Sequence, residues 1–176
     1  MNRRRFIIST IAVGGAAAAG AGLWLRQLKN KKDLSVATLL QTLEALSSQN
    51  IRFSGEWNAF QTFSHLAQSI EYSMIGYPQH KSDIFKSIVG KGAFSLFAKQ
   101  GSMSHALSEP ILGAPPINPE GFTQQALTRL VDAVKAFNSF SGELQPHFAY
   151  GELNHIEYAG AHVMHVYNHF EELVLG

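Results

Sequence analysis

The chain has 176 residues, 45% apolar and only 15% charged, which suits one globular domain and excludes both a disordered chain and two large domains. It holds no cysteine, which excludes disulfides, thiolate zinc sites and cysteine nucleophiles. The formal net charge of +1 conceals a division: residues 1–32 hold seven Lys/Arg and no acid, whereas residues 33–176 hold seven Lys/Arg against thirteen Asp/Glu, a formal −6. So acidic a body lacks the clustered cations that a phosphate backbone requires, which argues against nucleic acid as a partner.

The basic N-terminus comes first in chain order. Asn2-Arg3-Arg4-Arg5-Phe6-Ile7 resembles a twin-arginine export signal, with Arg3, Arg4 and Phe6 at the marking positions. Residues 7–25 follow as a Gly/Ala-rich, weakly apolar run with a small-residue cleavage candidate at Ala19-Gly20-Ala21. Residues 1–32 are therefore expected to address the chain to the twin-arginine export machinery and so to the periplasm. The segment is then either cleaved or retained as an inner-membrane anchor through residues 7–25, which are just long enough to cross a bilayer. Export after folding lets a metal be chosen by cytosolic availability rather than by raw affinity.

Residues 33–48 read as a helix, capped by Asp33 or Ser35, with Leu39, Leu40, Leu43 and Leu46 on one face. Gln49 to Gly55 is a connection, and residues 56–75 form a second helix that Gly76 and Pro78 stop. Residues 82–99 are a weaker helix interrupted by Gly90 and Gly92. Gly101 to Pro119 is a Pro-rich loop, long enough to cover a site or to be a plain surface connection. Residues 120–139 are helical along Leu127, Leu130, Val131, Val134 and Phe137, and residues 152–174 form the last helix, capped by Gly151 or Glu152. No β-alternation or hairpin signal stands out. The expected fold over residues 33–176 is all-α: a four-helix bundle with one short extra helix.

Four of the eight histidines, His155, His162, His165 and His169, fall within fifteen residues of that last helix. At about 100° per residue they share an arc of roughly 100° with Tyr158 and Glu172, placed along the border between buried and solvated faces. His165 and His169, four apart, project side by side and can hold one metal ion, but two ligands need a third from another helix. The plainer alternative is a surface helix that happens to be rich in histidine. His65 reads as a residue of the solvated face of its helix, opposite Phe63, Ile70 and Met74, and His80, His105 and His147 read as loop residues without a role.

Taken together, the segment Trp57 to Ser73, the Pro110-Ile111-Leu112-Gly113-Ala114-Pro115 loop and His165-Val166-Tyr167-Asn168-His169-Phe170 resemble the DinB/YfiT-like superfamily of metalloenzymes, and most closely its domain-of-unknown-function 1569 branch, over residues 34–175. The resemblance implies a four-helix bundle with one divalent transition metal (zinc, nickel or iron) held by His65, His165 and His169. It also implies that many members carry a histidine where this chain has Asn168, and that members are often homodimers, although no stripe here marks an interface. His162, Tyr158 and Glu172 are then candidates for orienting the ligands or contacting substrate. For Tyr158 and Glu172 the competing readings are a half-buried aromatic and an exposed acid.

Three histidines leave coordination positions open, as catalysis requires. The leading expectation is an exported metal-dependent enzyme acting on an unidentified small molecule. The resemblance implies thiol-dependent transfer, isomerisation or amide hydrolysis, and export fits hydrolysis better because low-molecular-weight thiols are mostly cytosolic. The alternatives are a non-catalytic metal- or ligand-binding bundle and a bis-histidine haem protein with His65 and either His165 or His169 as axial pair.

Overall fold

The computed structural model describes residues 35–176, so the expected signal, the alternative anchor and the cap candidate Asp33 lie outside the described residues. The chain runs through α1 (Val36–Leu46), β1 (Ile51–Phe53), α2 (Ala59–Ile75), α3 (Asp83–Phe85), a π-helical turn (Lys86–Gly90), α4 (Lys91–Gln100), α5 (Thr123–Ser139), α6 (His155–His169), a 3-10 turn (Phe170–Glu172) and β2 (Leu173–Leu175). This is the all-α bundle expected. The main helices are α1, α2, α5 and α6, and α3 to α4 is the extra segment.

Local chemistry sets the helix starts. Ser35 accepts the Thr38 N–H and caps α1. Asn58 and Gln61 form a reciprocal capping box at α2, as Asn154 and Glu157 do at α6, and each satisfies backbone donors that the first turn leaves unpaired. The last helix is thus capped by Asn154 rather than by Gly151 or Glu152. At its other end, α2 stops at Gly76, whose φ of 104° a side chain would resist.

One face of each main helix enters a common core. Phe63, Leu66 and Ile70 of α2 pack with Leu127, Leu130, Val134 and Phe137 of α5, which form the most extensive helix pair, while Leu39, Leu43 and Leu46 of α1 close the core against α5 and α6. Helix α4 is attached more thinly, its Phe94 joining Met103 of the following loop against Ala161 and Met164 of α6.

Three further expectations are corrected. The last helix ends at His169, and residues 173–175 pair antiparallel with Ile51–Phe53, Ile51 opposite Leu175 and Phe53 opposite Leu173. Strands of three residues are too short to produce a visible alternation, and their pairing partners lie at opposite ends of the chain. Gly90 does not break its helix. The π turn carries the helix through it, and Gly90 is there because a Cβ would collide with the Ala149 carbonyl. Finally, His65 lies in the interior, covered by Trp57 and by the end of α6, not on a solvated face.

Candidate metal centre

The ladder β1–β2 ties the chain leaving α6 to the chain entering α2, and that places His65 opposite His165 and His169. Phe53 fixes the junction, edge-on to Phe63 and tilted against Phe170. Within α6 the i, i+4 spacing does the rest.

The three Nε2 atoms converge. His165 Nε2 lies 3.2 Å from His65 Nε2 and 3.2 Å from His169 Nε2, and one ligand atom from each residue lies within 4.8 Å of the others. Four ligands about 2.05 Å from a tetrahedral ion are separated by about 3.3 Å, so the spacing is that of a coordination shell. A hydrogen-bonded cluster explains the convergence less well, because three neutral imidazoles turned nitrogen to nitrogen cannot all be satisfied by one another. The sealed Nδ1 of His65 has no protein partner. The donor set fits a divalent transition ion. It does not fit a haem, since nitrogens 3.2 Å apart leave no room for a macrocycle between axial ligands.

Burial holds the rings neutral. His65 is pushed down to about 3 and His169 to about 2, and His165 falls well below its ordinary range, in each case first by desolvation and then by neighbouring histidines. Trp57 roofs the cluster, its ring 5.0 Å from that of His65 and stacked parallel to His169.

Sequence reasoning missed His105. It comes from the Pro-rich loop, and its ring lies 4.9 Å from His165 and 5.2 Å from His169. Its Nδ1 donates to the Ala106 carbonyl at 2.8 Å, which leaves Nε2 as the lone-pair nitrogen. Asn168 is buried, and its Oδ1 accepts the His105 backbone N–H. The loop is strapped to α2 as well, by Asn58 to the Pro119 carbonyl and Gln61 to the Ile117 carbonyl. Loop residues carry no periodicity, so no sequence signal exposed His105.

A cavity of about 340 Å³ adjoins the cluster, with His65 and His165 in one wall and the Pro-rich loop in another. A more open groove of about 570 Å³ between α2 and α5 contains none of the histidines. Two buried histidines of the first cavity have assignable tautomers. His147 Nδ1 accepts the N–H groups of Ala149 and Tyr150, so its Nε2 carries the proton. Ser73 gives its only hydroxyl proton to the Ile70 carbonyl at 2.6 Å, so His162 must donate to Ser73 from Nε2 and keep a lone pair on Nδ1. Burial lowers both to about 3. The wall beside the candidate metal site thus offers one neutral donor and one neutral acceptor.

Of the other candidates, Tyr158 is fully buried, donates to the Gln145 carbonyl at 2.7 Å, and stacks on His162 rather than on the three-histidine cluster. Glu172 lies beyond α6 in the 3-10 turn, where its carbonyl accepts from Ser54. His155 stacks on Phe137 at the start of α6. The supposed border stripe is therefore a buried face from Tyr158 to His169, and the exposed side is marked by Ile156.

No curated protein and no solved structure matches the chain. The model of the family described as protein of unknown function DUF1569 does match, over residues 25–175, and the chain belongs to that family.

Proposed function

We propose that the protein is an exported metal-dependent enzyme of the DinB-like class, in which His65, His165 and His169 hold one divalent transition ion and the adjoining cavity receives a small molecule. The observation that supports this most is the convergence of three Nε2 atoms, two of them from buried rings, at coordination spacing beside a cavity. When bound, such an ion supplies Lewis acidity and a nucleophile near neutral pH. The chain's own residues do the rest. The Pro-rich loop limits the access of water, Trp57 packs the ligand rings in place, and His147 and His162 orient a polar group of the substrate. A neutral donor beside a neutral acceptor suits an amide, which supports hydrolysis within the classes the family resemblance implies. The basic N-terminus supports export by the twin-arginine route and, if retained, an anchor at the inner membrane.

Elemental analysis of the protein purified from its own export route tests the reading. One equivalent of metal is expected in the wild type and none in His165→Ala. A wild type without stoichiometric metal, or a His165→Ala protein with full metal content, overturns it. For export, Arg3→Lys with Arg4→Lys is expected to leave the protein in the cytosol, as read by cell fractionation.

A second reading rests on the bridge itself. The cluster links α2 to α6, two helices otherwise in modest contact, so the ion would serve as a structural staple. An exchangeable ligand position on the loaded protein favours the enzyme, and a closed shell favours the staple.

A further inference from the structure

The segment from α3 to α4 has no part in the metal centre, and its surface is unlike the rest of the molecule. Of residues 83–100 only Gly90 and Phe94 are buried. Four large aliphatic side chains stand in solvent: Ile84 is 74% exposed, Ile88 70%, Val89 52% and Leu96 52%. Ile84 and Ile88 are one turn apart and so share a face.

Charge is segregated onto the same segment. Residues 81–100 hold Lys81, Lys86, Lys91 and Lys99 against the single acid Asp83, a formal +3, whereas the other described residues hold three basic and eleven acidic side chains, a formal −8. Asp83 pairs with Lys86 at 2.9 Å, leaving Lys81, Lys91 and Lys99 as the outward cations. Exposed aliphatic side chains interspersed with lysines are the pattern of a helix lying in a lipid interface: the apolar groups enter the acyl boundary and the long lysine stems reach headgroup phosphates. The acidic remainder is repelled by an anionic surface, which selects one orientation.

We infer that residues 81–100 form a docking face for an anionic phospholipid surface, with Ile84, Ile88, Val89 and Leu96 inserted and Lys81, Lys91 and Lys99 at the headgroups. A two-fold dimer through this face is disfavoured, because it sets the lysines of one copy against the same lysines of the other. Lys81 and Phe85 also line the cavity beside the histidines, so docking brings its wall to the lipid boundary. The inference does not depend on the metal, on catalysis or on residues 7–25.

The absence of native cysteine permits a site-specific test on the full chain. Ile88→Cys and, on the acidic surface, Glu143→Cys are each labelled with an environment-sensitive fluorophore and mixed with phosphatidylglycerol or phosphatidylcholine vesicles. The label at position 88 is expected to shift to the blue and brighten with phosphatidylglycerol only, while the label at 143 stays aqueous. Adding Lys91→Gln is expected to lower the partition coefficient at position 88 about fivefold, the effect of one lysine near a charged surface. The proposal is overturned if the label at 88 stays aqueous while the chain floats with the vesicles, which would place attachment elsewhere. It is also overturned if the label responds to protein concentration without lipid, which would identify a second copy, or equally to polyglutamate and to vesicles, which would identify an acidic protein partner.

Discussion

Histidine ligates a metal as neutral imidazole, and burial enforces that form here before any ion arrives. His65, His162, His147 and His169 are held at about 2 to 3, against 6.5 for an ordinary histidine. Each is therefore neutral when folded but titrates near 6.5 once unfolded, so below that pH the unfolded chain binds more protons. The metal-free protein is expected to keep full stability above about pH 6.5 and to lose it progressively toward pH 3, as read from denaturation midpoints across that range. A flat profile would contradict the buried neutral rings. Ser73→Ala removes the acceptor of a buried His162 proton and is expected to cost about 1–3 kcal/mol in urea unfolding. At this scale the sequence was only partly legible. The pair His165 and His169 follows from spacing within one helix, but His65 read by its own helix looks solvated. Its burial comes from Trp57 and α6, which periodicity within α2 does not contain.

At the scale of elements, the Pro-rich loop is held by side chains from two helices. Asn168→Ala deletes the acceptor for the His105 N–H, and faster hydrogen exchange at His105 is expected, with a stability loss of about 1 kcal/mol and unchanged metal content. Lost metal in that variant would show that Asn168 supports the ligands themselves. Gly90→Ala places a methyl group against the Ala149 carbonyl and is expected to cost about 1–3 kcal/mol, read as a lowered unfolding midpoint. The main helices were legible because each carries a continuous apolar face; their caps were read less well, since Asn58 and Asn154 cap α2 and α6 and α5 starts at Phe122 without a side-chain cap. The strand after α6 was not, because Leu173–Leu175 becomes a strand only by pairing with residues more than a hundred positions away.

For the whole molecule, an ion held by the three histidines would cross-link α2 to α6 near the point where β1 and β2 already join them. An ion that binds only the folded state adds about 2.7 kcal/mol at a hundred times its dissociation constant. Chelation is therefore expected to lower the melting temperature of the wild type by several degrees and to leave His165→Ala unchanged, by calorimetry at pH 7. Equal shifts in both proteins would place the ion elsewhere. The sequence alone determined the all-α class, the four main helices and the i, i+4 histidine pair. It also marked the division between a basic N-terminus and an acidic body. Each of these depends on residues close in the chain, where periodicity, capping and composition act directly. The family resemblance already joined His65 to that pair, against the reading of its own helix, and only the tertiary structure brought His105 over the three rings. It alone set the tautomers of His147 and His162 beside the cavity, and left Ile84, Ile88, Val89 and Leu96 exposed among the lysines of residues 81–100. Those outcomes depend on which faces remain uncovered after packing, and the chain's local chemistry does not specify that.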